Sequence, residues 1–120
     1  MPNKLLLLQK PSCTTCRKAK ALLLKLNLKF DSRDLDEQPL SERELDELIG
    51  ARDYKDFLST RNELYRERNM AEKPPSRAEA IKLMSKTPNL IRRPLLVQGP
   101  RIIIGFDEPA YRIVALRAKS

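Results

Sequence analysis

A chain of 120 residues with 41% hydrophobic and 33% charged residues is sized for one domain with one core, and that balance excludes a disordered chain. Two cysteines and no histidine exclude a disulfide scaffold, a four-ligand zinc site within one chain and Cys–His or Ser–His catalysis, so any nucleophile must be activated by backbone dipoles or by Lys and Arg. The formal charge of +8 is spread along the chain and the aromatic share is 5% without Trp, which fits an oxyanion or an acidic protein partner better than direct nucleic-acid binding.

The N-terminus carries one lysine, four leucines, then Gln9 and Lys10. That run is shorter than a secretory apolar region or the roughly 20 residues of a membrane span. A cytoplasmic, reducing location is expected, away from membranes, where a Cys-x-x-Cys pair reads as redox chemistry. Residues 4–9 read as a buried strand, because the run is continuous rather than alternating. A helix follows over about 14–26, with Ala19, Leu22, Leu23 and Leu26 forming one apolar stripe. Residues 28–34 read as a second strand, which completes a βαβ unit with parallel strands.

Pro39 breaks the chain. Ser41 and Glu44 then predict a capping box, with Leu40 and Leu45 as its hydrophobic staple. Leu45, Leu48 and Ile49 make the buried face of that helix, and Gly50 is its stop. Residues 51–58 read as a loop with a short helical piece. Ser59 or Thr60, with Glu63, predicts a capped helix running to about Arg68. Glu72-Lys73-Pro74-Pro75 is a stiff connector. Ser76 and Glu79 cap a helix to about Lys86, with Ala80, Leu83 and Met84 inward, ended by Thr87-Pro88. Residues 95–98 and 101–105 form an antiparallel hairpin around Gly99-Pro100, and a last helix spans about Asp107 to Leu116. The order is βαβ, a helical insertion over about 41–88, then ββα. One domain over 1–120 is expected: an α/β fold with a mixed four-stranded sheet flanked by helices on both faces.

Cys13 and Cys16 carry the clearest chemistry. They follow a strand and open a helix, so both sulfurs share one helix face and can close a disulfide. Cys13 sits where unpaired amides and the helix dipole favour an anion, which lowers a thiol pKa. Cys16 lies one turn inside, more buried, placed to resolve an adduct on Cys13. Arg17 and Lys18 add positive potential. In a βαβ–ββα fold the start of the third strand lies beside the start of the first helix, so Arg93 can point at an anion held over Cys13, and the amides of Thr14 and Thr15 can cradle it. Pro94 enters the third strand without an N–H, and its X-Pro bond can be cis. Arg61 is a further candidate for holding negative charge. No metal is required.

Pro11-Ser12-Cys13-Thr14-Thr15-Cys16-Arg17-Lys18-Ala19, Phe57-Leu58-Ser59-Thr60-Arg61, Leu90-Ile91-Arg92-Arg93-Pro94-Leu95-Leu96-Val97 and Gly105-Phe106, in that order, resemble the arsenate reductase/Spx family of thioredoxin-like proteins. The resemblance implies that Cys13 is a nucleophile attacking a small oxyanion such as arsenate, or a disulfide. It also implies that Arg93 contacts the oxyanion and that Pro94 is cis. No bound cofactor is implied; electrons come from an external thiol reductant, glutathione with glutaredoxin or thioredoxin. Where the glutathione-dependent reductases have an arginine after the last strand, this chain reads Ile103-Ile104-Gly105-Phe106. Cys16 and the Ser59-Thr60-Arg61 motif instead resemble Spx-type regulators, which use the pair as a redox switch and bind the C-terminal domain of the RNA polymerase α subunit. Gly105-Phe106 followed by Tyr111 is similar to a reductase-like branch. A thiol-dependent oxidoreductase acting as a monomer is the leading expectation; an Spx-type regulator is the alternative.

Overall fold

A βαβ unit, a run of helices and a ββα unit follow one another along the chain. The computed structural model describes residues 5–118. It runs β1 (Leu5–Gln9), α1 (Thr14–Lys25), β2 (Phe30–Asp34), α2 (Glu42–Ile49), α3 (Glu63–Glu67), α4 (Arg77–Lys86), β3 (Leu95–Gln98), β4 (Arg101–Ile104) and α5 (Glu108–Ala118), with short 3₁₀ turns at Tyr54–Phe57 and Pro88–Leu90. The strands form one mixed sheet in the order β2-β1-β3-β4. β1 pairs with β2 in parallel, as a helical crossover demands, while β1–β3 and β3–β4 are antiparallel. This is a thioredoxin-like α/β architecture: βαβ, a helical insertion, then ββα. Lys4, the first residue of the expected opening strand, lies outside the described residues.

The chain divides into two compact units, one gathering the segments up to Asp34 and from Arg93 onward, the other formed by Leu35–Arg92. In the first, the strand register aligns Phe30 with Leu5, and Leu7 with Leu96 and Ile103. Alternation puts these side chains on one face of the sheet. There they pack with Ala19, Leu22 and Leu23 of α1 and with Tyr111, Val114 and Ala115 of α5. The α1 stripe is thus used as the periodicity dictates, and Leu26 packs against it while partly exposed.

β2 starts later than expected, at Phe30 rather than Leu28. The reason is the end of α1. Asn27 takes a left-handed conformation, with φ 58°. Its amide bonds to the Leu24 carbonyl at 3.0 Å, and the Leu28 amide to that of Leu23 at 3.1 Å. This pattern satisfies the last helical carbonyls and folds Leu28 onto the core beside Leu23. The last strand ends at Ile104 rather than Gly105, whose φ is 82°; its amide bonds to the Pro94 carbonyl at 2.8 Å.

In the second unit both arms of the Ser41–Glu44 capping box form, each at 3.1 Å. Leu40, Leu45 and Ile49 are buried and Leu48 half-buried. Gly50 ends α2 with φ 53°. Ser76 caps α4 by accepting from the Glu79 amide at 3.2 Å, and Tyr54 donates its hydroxyl to the Pro75 carbonyl at 2.6 Å. Two expectations are corrected here. Neither Ser59 nor Thr60 caps α3; Asn62 does, its side chain accepting from the Leu64 amide at 2.9 Å. A β-bridge between Leu58 and Ile91 and the bond from the Ser59 amide to the Leu90 carbonyl at 2.7 Å keep the chain extended through Ser59. A turn closed by the Asn62 amide on the Ser59 carbonyl then delays the helix. On α4, Ile81 joins Ala80 and Met84 in the interior, and Leu83 is only half-buried.

Candidate active site

The turn leaving β1 is closed by the Cys13 amide on the Lys10 carbonyl at 3.0 Å. Cys13 is then the N-cap of α1, with extended backbone (φ −81°, ψ 120°). Its sulfur accepts from the Cys16 amide at 3.4 Å, the role a Ser, Asp or Asn oxygen usually fills. Among the described helices α1 alone has no acidic residue in its first turn. Its positive end is therefore left for the sulfur.

Cys13 is partly exposed and Cys16 fully buried, and both are free thiols. Their environments drive them in opposite directions. Burial pushes the Cys13 thiol up. Hydrogen bonds from the Cys16 side chain and amide, the Arg93 charge and the Thr15 amide together outweigh it, and the net shift is downward. Cys16 is pushed up to about 12, first by burial and then by its hydrogen bond to Cys13, against a backbone bond from Lys10 and the charge of Arg93. Of the two, Cys13 is thus the first to give up its proton.

Arg93 is half-buried at the entry to β3, and the Arg93–Pro94 peptide is cis with Pro94 buried. Cys13, Cys16, Thr15 and Arg93 are brought together in the first unit. Thr14, exposed, is the first residue of α1 beside Cys13. Arg61 belongs to the second unit, in the exposed turn before α3, where its carbonyl accepts from Arg66 Nη2 at 2.9 Å. Among the described residues no group of three or more Cys, Asp or Glu is placed to hold a metal ion, and no helix is long and apolar enough to cross a membrane.

Sequence reasoning missed one neighbour of the pair. Tyr111, on the buried face of α5, is fully buried, and the Cys16 charge acts on it. Its helical spacing with Val114 and Ala115 signals core; nothing in the linear sequence ties it to a cysteine.

A mixed four-stranded sheet with a Cys-x-x-Cys at the first helix start defines a thioredoxin-like thiol protein. The ArsC family model matches residues 8–114, and the chain belongs to the ArsC family. It is 35% identical over 104 residues to the global transcriptional regulator Spx of Streptococcus pneumoniae strain R6, covering 85% of this chain and 78% of that protein. Among solved structures, it is similar to an ArsC family related protein from Bacteroides fragilis, with a TM-score of 0.80 and 29% identity over 92% of this chain and 97% of the other. It is also similar to a possible arsenate reductase from Streptococcus mutans, with a TM-score of 0.74 and 31% identity over 87% and 92%.

Proposed function

We propose that this protein is a thiol-dependent oxidoreductase of the arsenate-reductase type. The Cys13 thiolate attacks a small oxyanion or a disulfide sulfur. Arg93 and the amides of Thr14 and Thr15 hold the negative charge that arrives or develops there. Cys16 then gives up its proton and attacks the Cys13 sulfur of the adduct. The Cys13–Cys16 bond forms as the bond from Cys13 to the bound group breaks, its electron pair leaving on that group as a thiolate or as the oxyanion reduced by two electrons. An external thiol, glutathione with glutaredoxin or thioredoxin, reduces the disulfide again. The observation that carries this reading is Cys13 as the N-cap of α1, its sulfur accepting from the Cys16 amide at 3.4 Å, because a thiol held at a helix start ionises ahead of the buried one a turn later. A steady-state assay with arsenate, glutathione and glutaredoxin, run beside a thioredoxin-coupled control, tests it. Turnover lost in Cys13→Ser is expected; no turnover in either system, with both cysteines alkylated equally fast at neutral pH, rejects it.

A second reading is favoured by the 35% identity to a Streptococcus pneumoniae Spx: a redox-responsive regulator that binds the C-terminal domain of the RNA polymerase α subunit. Pull-down of that domain by oxidised and reduced protein discriminates. Redox-dependent capture without turnover replaces the enzyme reading.

A further inference from the structure

Tyr111 is fully buried and meets Phe106 edge to face, with ring centroids 5.5 Å apart and an interplanar angle of 80°. Among the described residues its hydroxyl finds no hydrogen-bond partner. A phenylalanine would fill the same space without desolvating a polar group, so packing alone does not account for the oxygen. Tyr111 packs in the same core cluster as Ala19 of α1, and Cys16, also fully buried, lies one turn before Ala19 on that buried helix face; the Cys16 charge bears on the phenol ahead of that of Asp107. Burial first, then these two groups, drive the ionisation of Tyr111 far upward, so it stays a protonated donor at neutral pH. Cys16 in turn faces Cys13, Arg93 and the backbone of Lys10.

We propose that Tyr111 is a positioning residue for the resolving step: its O–H closes onto the Cys16 sulfur as that sulfur becomes anionic, leaves its reduced-state position and attacks the adduct on Cys13. This rests on the reading of Cys16 as the resolving thiol. For a mixed disulfide on Cys13, a Cys16 lone pair forms the Cys13–Cys16 bond. The electron pair of the bond between Cys13 and the bound thiol departs on the leaving sulfur. The Cys16 proton ends on that thiolate or, when the thiolate is weakly basic, in solvent. Tyr111 keeps its own proton and contributes a hydrogen bond to a charge that exists only during this step, which explains a donor without a partner in the reduced protein.

Reaction of the reduced protein with 5,5′-dithiobis(2-nitrobenzoate) separates the steps. Attack by Cys13 releases a first nitrothiobenzoate, and attack by Cys16 on the resulting mixed disulfide releases a second. Tyr111→Phe is expected to leave the first phase unchanged, to slow the second roughly tenfold or more near neutral pH, and to move its pH profile upward, since a bond to a charged group is lost. A second phase with wild-type rate and pH profile overturns the proposal. So does an equal slowing of both phases with a lowered melting temperature, which makes Tyr111 a structural residue only. The underlying reading fails separately, if the wild-type protein shows no Cys13-dependent first phase.

Discussion

Cys13 and Cys16 differ by one helical turn and by burial, and that difference is chemical. A thiol with a lowered pKa has an alkylation rate that rises through a midpoint below the ordinary value of 9.0 and then levels off, whereas Cys16 gains reactivity only near its value of about 12. At pH 7 iodoacetamide is therefore expected to label Cys13 and spare Cys16, as mass spectrometry of the digested protein would show. Removing the Arg93 charge in Arg93→Gln should raise the Cys13 midpoint and slow labelling at pH 7 several-fold; an unchanged midpoint would detach Arg93 from the sulfur. In the same terms, Cys13→Ser removes the nucleophile, while Cys16→Ser keeps it and leaves an adduct that can be trapped.

At the scale of the element, the start of α1 works because its dipole is uncompensated. The first turns of α2, α3, α4 and α5 carry Glu residues, and that of α1 carries none. Thr14→Asp places a carboxylate at this end. It should stabilise the helix by about 0.3–1 kcal/mol while repelling the Cys13 thiolate. A higher melting temperature with a raised Cys13 midpoint is expected. A raised melting temperature with an unshifted midpoint would mean that the sulfur does not sense the helix end. The other end of α1 is set by Asn27, whose left-handed conformation turns Leu28 inward. A residue-by-residue strand propensity cannot register this turn, which is why β2 begins at Phe30.

For the molecule as a whole, the interior of the first unit sets stability. Leu23 is fully buried between the sheet and α5, so Leu23→Ala should cost about 2–5 kcal/mol in urea unfolding. Cys16 adds a pH dependence. Its folded value is raised, so the unfolded thiol ionises first as pH climbs. The stability due to its neutral burial is complete below 9.0 and declines up to about 12; burial of Tyr111 acts in the same direction. The advantage of the reduced wild-type protein over Cys16→Ala should shrink as pH rises through that window. A constant difference in urea midpoint between pH 8 and 11 would contradict neutral burial of Cys16.

Most of the fold was legible because its signals are local. A continuous leucine run, an i, i+3, i+4 stripe, two Ser-x-x-Glu caps and a Gly-Pro turn specify β1, α1, α2, α4 and the β3–β4 hairpin through hydrogen bonds and alternation within a few residues of each other. The two thiols were legible for the same reason, since a helix start carries its own dipole. The α3 cap was not legible: Asn62 replaces Ser59 and Thr60 only because a bridge to Ile91 holds Leu58 extended, a contact made across more than thirty positions. The opposed proton affinities of Cys13 and Cys16 need the burial that the folded core imposes on Cys16, while the Arg93 charge, delivered from the far end of the chain, lowers both. The unpartnered hydroxyl of Tyr111 needs α5 packed over the same face as α1. Local sequence determined which residues could react; tertiary packing decided which thiol holds the proton, because burial and distant charges act through space and leave no mark on spacing along the chain.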